Sequence, residues 1–148
     1  MKTTIYIYPV LICFCLFSSC FSSKEKSNTK SGKTNRNLLQ NLIVDAQYNC
    51  LEKEKNYTIE SANIVDSTIS ISIKYKGKNE NDIFNLYFNG MYAKSLPAIA
   101  TLCLDQNVIG ENEFSRELKF NITKAKYAKG DKTFIMLNGY SEKLILNN

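Results

Sequence analysis

The stretch ISISIKYK, residues 69–76, alternates strictly between two kinds of side chain. The first kind is apolar or aromatic and comprises Ile69, Ile71, Ile73 and Tyr75. The second kind is polar and comprises Ser70, Ser72, Lys74 and Lys76. Because successive side chains of a strand point to opposite faces, this alternation predicts a β-strand with one buried face and one solvated face.

Shorter segments of similar character lie on both sides of this strand, separated by turn signals. We predict further strands over residues 57–65, 83–88, 98–104, 116–122, 133–137 and 143–146. Residues 39–48 fit either a first strand or a short helical lead-in. Turns are expected at Asp66–Ser67 and Asn89–Gly90, and polar loops over 77–82 and 105–114. About seven strands without a long helical pattern predict an all-β, antiparallel, immunoglobulin-like β-sandwich, with a small barrel as the alternative.

The N-terminal region has the parts of a secretory signal. Lys2 precedes an apolar run over residues 5–17, and Ser18 and Ser19 stand before Cys20. The run is shorter than the about 20 residues that a spanning helix needs. Ser18-Ser19-Cys20 resembles the bacterial lipobox, so we interpret residues 1–19 as a cleavable lipoprotein signal peptide and Cys20 as the lipidated residue. Ordinary cleavage nearby, which leaves Cys20 as a free thiol, is the alternative.

Residues 20–37 are rich in Ser, Lys, Asn and Thr, a composition that predicts a flexible, disordered tether. The tether carries five basic residues against the single acidic residue Glu25. From Leu38 onward, 13 Lys and Arg balance 13 Asp and Glu, so the predicted domain, residues 38–148, has no net charge. A neutral domain with an extracytoplasmic address argues against a nucleic-acid partner.

The composition also limits the chemistry that this protein can perform. The chain contains no histidine, which removes the commonest general base, the Ser-His and Cys-His dyads and the commonest zinc ligand. No Gly-rich phosphate-binding loop is present either. We therefore expect neither enzymatic activity nor a cofactor.

Two acidic loops are the remaining candidates for a ligand or cation site, because hard cations prefer several oxygen ligands. Their candidate residues are Glu80, Asp82, Asp105, Asn107, Glu111 and Glu113. The second loop begins like a calcium loop, but Ile109 and Arg116 occupy positions that such a loop gives to oxygen ligands. A solvated loop without a metal is the competing interpretation and the one that we favour.

Cys50 and Cys103 are the only cysteines from residue 38 onward. In an oxidising compartment the two can pair as a disulfide. Alternatively, Cys103 packs as a free thiol among the apolar residues of its strand. The tyrosines of this region also have two interpretations, surface recognition of a protein or glycan and capping of a core that lacks tryptophan. We favour capping for Tyr48, Tyr57, Tyr75, Tyr87, Tyr92, Tyr127 and Tyr140.

Four short motifs are spread along the predicted domain: YKGKN at 75–79, FNL at 84–86, AKSLP at 93–97 and LKFNI at 118–122. With these motifs, residues 57–146 resemble a group of small, uncharacterised Bacteroidota (Flavobacteriia-type) secreted lipoproteins. Asn79 stands where that group has a cysteine, Asp82 where it has a histidine, and residues 111–113 where it has the partner cysteine. The resemblance implies the same fold and location here, without the group's disulfide or a metal site that uses its histidine.

Together these observations predict a lipid-anchored protein of the bacterial cell envelope, an outer-membrane lipoprotein on either the periplasmic or the surface side. The expected role is that of a binding or accessory module. Its expected partners are the membrane, through the N-terminal lipid, and an envelope or extracellular protein or glycan. The alternative function is a proteinaceous inhibitor of an extracytoplasmic hydrolase, which would present the loop over residues 105–114.

Overall fold

The computed structural model describes residues 38–50 and 55–148. Nine strands lie in this part of the chain. They are β1 (Leu39–Asn41), β2 (Ile43–Val44), β3 (Tyr57–Val65), β4 (Thr68–Gly77), β5 (Phe84–Ala93), β6 (Ala98–Gln106), β7 (Asn112–Asn121), β8 (Lys132–Leu137) and β9 (Lys143–Asn147). A single 3-10 turn, Thr123–Ala125, follows β7. Among the described residues, no helix is long and apolar enough to cross a membrane.

The strands form two sheets, and this confirms the prediction of an all-β sandwich. The first sheet has the order β1-β7-β4-β3, and the second has the order β2-β5-β6-β8-β9. Four pairings are antiparallel, whereas β1 with β7, β2 with β5 and β6 with β8 are parallel. The sheets are therefore mixed, and the two short N-terminal strands β1 and β2 bring the seven predicted strands to nine.

The segment over residues 39–48, for which the sequence left strand and helix open, forms two short strands in different sheets. β1 pairs with β7 of the first sheet, and β2 pairs with β5 of the second. Leu42 lies between them and is buried, with its backbone N–H donating to the Asn121 carbonyl at 3.1 Å. The segment therefore joins the two sheets along one side of the sandwich.

The core lies between the sheets and is built from the inward faces of the alternating strands. In β4 the residues Ile69, Ile71, Ile73 and Tyr75 are buried, as the alternation predicts. The opposite sheet contributes a matching set of large side chains: Phe84, Leu86, Phe88, Leu102, Leu104, Ile135 and Leu137. Each fully buried side chain of this size contributes about 1.5–3 kcal/mol, so the two inward faces hold the sheets together.

The turn expected at Asn89–Gly90 is not formed, and this prediction was wrong. Strand β5 continues through both residues, and its register with β6 shifts between Phe88 and Tyr92. Gly90 has a φ of 78°, a backbone conformation that favours glycine. The Asn89 side-chain oxygen accepts a hydrogen bond from the Met91 N–H at 3.0 Å. These residues therefore form a bulge inside the strand. The prediction failed because asparagine and glycine are favoured in bulges as well as in turns.

The connection from β2 to β3 crosses the outer face of the second sheet. We call its described part, residues 45–50 and 55–56, the strap. The Tyr48 ring stacks on the Tyr87 ring at a centroid distance of 3.9 Å. Cys50 forms a disulfide with Cys103 of β6, and its carbonyl accepts a hydrogen bond from Asn138 at 3.3 Å. The strap is thus attached to β5, β6 and the end of β8.

Candidate functional site

The two acidic loops lie next to each other at one end of the sandwich. They connect β4 to β5 (residues 78–83) and β6 to β7 (residues 107–111), and we call them together the loop end. The Asn107 N–H donates to the Ile83 carbonyl at 3.1 Å. Gly110 packs against the backbone of Gly77 and Lys78 so closely that a Cβ atom there would collide with it. The structure therefore brings together two loops that are separated in sequence by strands β5 and β6.

The first of these loops, residues 78–83, is held by one of its own side chains and by two from the neighbouring strands. The buried Asp82 carboxylate accepts a hydrogen bond from the Lys78 N–H at 2.7 Å. The Tyr75 hydroxyl donates to the Asn79 carbonyl at 3.2 Å. The Arg116 guanidinium donates to the Asp82 carbonyl at 3.1 Å. These bonds satisfy backbone groups of the loop, so it is fixed in one conformation.

Gln106 fixes the second loop. Its side-chain N–H₂ group donates to the carbonyls of Lys76 and Val108, each at 2.6 Å. One bond joins the loop base to β4, and the other closes the start of the loop upon itself. The loop expected over residues 105–114 is consequently shorter than predicted, because β6 extends to Gln106 and β7 begins at Asn112.

Two isoleucines of the loop end face solvent. Ile83 is 59% exposed and Ile109 is 56% exposed. The acidic residues Glu80 and Glu111 of the same two loops are also exposed. The loop end therefore presents two exposed isoleucines together with exposed charges of both signs, Glu80 and Glu111 against Lys78, on a frame whose backbone is hydrogen-bonded.

The six candidate residues for a ligand or cation site do not share one environment. Glu80, Asn107, Glu111 and Glu113 are exposed, whereas Asp82 and Asp105 are buried. The Asp82 carboxylate is directed at the backbone of its own loop, as described above, and Glu113 pairs with Lys74 at 3.4 Å. Within residues 38–50 and 55–148, no group of three or more Asp, Glu, Cys or His side chains is suited to hold a metal ion.

Asp105 lies beneath the strap on the outer face of β6, beside two tyrosines. The Tyr48 side chain is hydrogen-bonded to the Asp105 carboxylate. Burial, followed by the charge of Asp105 and this hydrogen bond, raises the pKa of Tyr48. Burial and then the charge of Asp105 raise the pKa of Tyr57 to about 12. Asp105 is therefore partnered inside the protein, and its place in the fold is under the strap.

Four tyrosines confirm the interpretation that they cap the core: Tyr57, Tyr92 and Tyr140 pack against the core cluster, and Tyr75 is itself buried within it. The Tyr57 hydroxyl donates to the Leu104 carbonyl, the Tyr92 hydroxyl to the Lys126 carbonyl at 3.0 Å, and the Tyr140 hydroxyl to the Glu142 carboxylate at 3.1 Å. Each of these rings adds apolar area to the core while its hydroxyl reaches an acceptor at the margin. Tyr48 and Tyr87 instead stack on each other on the outer face of the second sheet.

Sequence reasoning missed the residues that shape the loop end. Ile83 was assigned to the start of a strand, and Ile109 was noted only as a departure from a calcium loop. Gln106 and Gly110 were not singled out at all. Two isolated apolar residues in otherwise polar loops were the available signal, but their proximity depends on how the loops meet.

Comparison with known proteins shows likeness at the level of fold. No family model and no curated protein sequence matches the chain. One solved structure that is similar is the protein of unknown function DUF1344 from Bacteroides vulgatus, with a TM-score of 0.52 and 14% identity over 74% of this chain. Another is a NigD-like immunity protein from Bacteroides caccae, with a TM-score of 0.48 and 11% identity over 72% of this chain.

The chain spans only part of these two proteins, 56% of the first and 58% of the second. At 14% identity, the likeness to the Bacteroides vulgatus protein concerns the fold alone.

Proposed function

We propose that this protein is a non-enzymatic binding module of the bacterial cell envelope, anchored through a lipid on Cys20 and carrying its partner-binding surface at the loop end. The partner is another protein of the envelope or its surroundings. The observation that carries the proposal is the pair of exposed isoleucines, Ile83 and Ile109, on two mutually braced loops.

Exposure of these isoleucines supports a recognition role because apolar side chains at the centre of an interface contribute most of its binding free energy. Single exposed apolar residues are common on protein surfaces and carry no such implication. Here, however, two of them occur in adjacent loops, and each loop has a hydrogen-bonded backbone. Such a preorganised surface loses little conformational entropy when a partner docks.

The exposed charges of the two loops are of both signs, Glu80 and Glu111 against Lys78, so the partner needs a rim of complementary mixed charge. Opposite charges at the rim accelerate association and fix its orientation. A groove of about 410 Å³ adjoins this end and is lined in part by Tyr57 and Tyr75, so a partner side chain has space beside the loops.

A second candidate function is inhibition of an extracytoplasmic hydrolase. The specific observation in its favour is the construction of the loop over residues 107–111. Gln106 and Gly110 hold its base against β4, while Ile109 at 56% exposure is free to enter an apolar pocket. Inhibitory loops need this combination of a fixed backbone and an exposed central side chain.

The test compares two substitutions of the same residue type in the full chain displayed on cells. Ile109→Asp places a charge at the loop end, and Ile145→Asp places one on β9 at a closely similar exposure, 56% against 52%. We expect a cross-linked partner to be retained by the wild type and the Ile145→Asp variant. The Ile109→Asp variant should bind it at least about tenfold more weakly, which corresponds to about 1.4 kcal/mol.

If both variants lose the partner equally, or if both retain it, the loop end is not the binding surface. Once isolated, the partner separates the two candidate functions. If it is a hydrolase whose activity falls on adding wild-type protein but not the Ile109→Asp variant, the inhibitor function is correct. If its activity is unchanged by binding, the protein is an accessory module.

A further inference from the structure

The end of the sandwich opposite to the loop end carries a concentration of lysines. It is formed by the β5–β6 connection, the segment between β7 and β8, and the first residue of β8. We call residues 94–97 and 123–132 together the basic end. Its lysines are Lys94, Lys124, Lys126, Lys129 and Lys132.

The two segments of the basic end are packed together. The rings of Tyr92 and Tyr127 lie 5.0 Å apart, and the Tyr92 hydroxyl donates to the Lys126 carbonyl. The side chain of the C-terminal residue Asn148 donates to the Tyr127 carbonyl at 2.7 Å. The lysines are therefore mounted on a fixed surface and do not belong to a loose tail.

The charge of this surface is unbalanced although the domain as a whole is neutral. The acidic residues at this end are Asp131 and Asp66, the latter in the turn between β3 and β4. Five lysines against two aspartates leave an excess of three positive charges. Since residues 38–148 have no net charge, the rest of the domain carries a matching excess of three negative charges, and the positive excess is particular to the basic end.

An apolar component accompanies the lysines. Leu96 is 98% exposed and stands at the tip of the β5–β6 connection. Beside it lies a cavity of about 310 Å³, lined in part by Leu96, Pro97 and Tyr127 and bordered by Lys129 and Lys132. Lysines next to an exposed leucine and an amphipathic tyrosine ring are the combination found on surfaces that bind at the lipid–water interface.

We propose that the basic end docks on an anionic lipid bilayer. The lysines contact lipid phosphates while Leu96 enters the interface between headgroups and acyl chains. Charge complementarity carries this assignment, because the negative surface potential of an anionic membrane attracts clustered lysines. The proposal rests on the folded domain alone and is separate from the N-terminal anchor.

Docking in this way has a consequence for the proposed function. Strand β5 runs from Phe84, beside the loop end, to Ala93, beside the basic end. A domain seated on lipid through the basic end therefore directs Ile83 and Ile109 away from the membrane, towards a partner. The basic end would act as an orienting surface and the loop end as the recognition surface.

The experiment measures amide hydrogen exchange of the full chain bound to vesicles. One set contains phosphatidylglycerol in phosphatidylcholine, and the other contains phosphatidylcholine alone. We expect slower exchange over residues 94–97 and 123–131 on the anionic vesicles only. The slowing should disappear at about 1 M salt, where the screening length is about 3 Å. The apolar N-terminal segment is the same in both samples, so the difference reports the headgroup charge.

Two double variants with equal charge change localise the effect. Lys124→Glu with Lys129→Glu should abolish the slowing over the basic end. Lys74→Glu with Lys143→Glu, both exposed and outside this end, should leave it unchanged. Thermal unfolding of each variant in solution verifies that the domain remains folded.

Three results would overturn the proposal: no slowing on anionic vesicles, the same slowing on both vesicle types, and slowing confined to residues 78–83 and 107–111. The last result would place the membrane at the loop end and would also contradict the proposed function. Loss of partner binding by the Ile109→Asp variant has no bearing on this exchange pattern, so failure of one proposal can be distinguished from failure of the other. If the control double variant, Lys74→Glu with Lys143→Glu, loses the slowing as fully as the Lys124→Glu, Lys129→Glu variant does, the binding is unspecific adsorption of a charged protein and the proposal is also wrong.

Discussion

Asp105 shows how a single residue takes its role from a distant part of the chain. It is on the outer face of β6, where alternation would leave its carboxylate in water, yet it is only 8% exposed. The strap places Tyr48 over it, with a hydrogen bond to the carboxylate, and Tyr57 stands close enough for the charge to act on its hydroxyl. A buried carboxylate is costly unless it is hydrogen-bonded, so these tyrosines make its position tolerable.

The raised pKa of Tyr57 predicts a loss of stability in alkali. The folded hydroxyl ionises only near pH 12, whereas an unfolded tyrosine ionises near about pH 10. Its stabilising contribution is complete below the unfolded pKa and is lost as the pH rises from there through the folded pKa. We expect Tyr57→Phe to cost about 1 kcal/mol at neutral pH, from the lost bond to the Leu104 carbonyl.

Above about pH 10, the difference in unfolding free energy between the wild type and Tyr57→Phe should shrink, because the variant has no hydroxyl to ionise. Urea unfolding at a series of pH values measures it. Burial and the Asp105 charge, the main causes of the raised Tyr48 pKa, act in both proteins, so the Tyr48 contribution largely cancels in the difference. A constant difference across the whole range would show that the Tyr57 hydroxyl is not held protonated by the fold.

Gly110 gives a second prediction at the scale of one residue. A Cβ atom at this position would collide with the backbone of Gly77, whereas one at Gly130 would have its nearest neighbour, the Lys132 carbonyl oxygen, at 3.6 Å. Gly110→Ala should therefore destabilise the domain by about 1–3 kcal/mol, as overpacking does. Gly130→Ala, the matched control, should be neutral or slightly stabilising. Thermal and urea unfolding measure both, and equal stability of the two variants would mean that the loops are not in contact.

At the scale of elements, the strap is the part of the fold with the most structural consequences. It leads from β2, the edge strand of the second sheet, over the outer face of that sheet towards β3, the edge strand of the first sheet. Its attachments are the stack of Tyr48 on Tyr87, the disulfide from Cys50 to Cys103, and the bond from Asn138 to the Cys50 carbonyl. The strap also explains why Cys103, an outward-facing residue of β6, is only 4% exposed.

The disulfide predicts a specific dependence of stability on redox state. The bridge closes a separation of 53 residues, for which the chain-entropy model gives a stabilisation of about 4 kcal/mol. Cys50→Ser should lower the free energy of unfolding by up to that amount, and reductant should have no further effect on the variant. Cys20→Ser is the matched control, since it makes the same substitution outside residues 38–148. A non-reducing peptide map of the wild type should contain the peptide pair joined through Cys50 and Cys103.

Equal stability of wild type and Cys50→Ser, together with separate Cys50 and Cys103 peptides, would show that Cys103 packs as a free thiol. That interpretation was the competing one at the level of sequence. A stability loss that is also seen in Cys20→Ser would point to a general effect of the substitution and would not support the bridge.

In the whole molecule, the two proposed surfaces lie at opposite ends of the strands, one with lysines and Leu96, the other with Ile83 and Ile109. Of the net charge of +5, residues 20–37 carry +4 and Lys2 carries +1, while residues 38–148 are neutral with a basic end. If both proposals hold, the basic end orients the domain on a membrane without a rigid link to the proposed anchor.

The anchor itself gives a prediction for the full chain in a bacterial host. Radiolabelled palmitate should enter the wild-type protein and should be absent from a Cys20→Ala variant. Cys15→Ala, within the apolar run, is the matched control and should incorporate the label like the wild type. Two or more acyl chains, at about 0.8 kcal/mol for each buried methylene group, account for stable attachment. Label persisting in Cys20→Ala, or missing from all three proteins, would refute lipidation at this residue.

The alternation of side chains predicted seven of the strands and, for β4, which face is buried, whereas it left residues 39–48 open and ended β5 at Phe88 instead of Ala93. Alternation with a period of two is a local property, and for β4 it holds from Ile69 to Tyr75 without any knowledge of the neighbouring strands. The charge balance is likewise a property of composition, and the signal and the tether stay predictions drawn from composition and residue order. The bulge at Asn89–Gly90 marks the limit, because the same two residues serve a turn or a bulge.

Tertiary structure alone decided what lies on the outer faces and at the two ends. The burial of Cys103 and Asp105 depends on the strap above them, and the proximity of Ile83 to the loop of Ile109 depends on how β4–β5 and β6–β7 meet. The gathering of Lys94 with the lysines of residues 124–132 likewise depends on the pairing of β6 with β8. Contacts between residues distant in sequence are set by strand order and register, which no local pattern encodes.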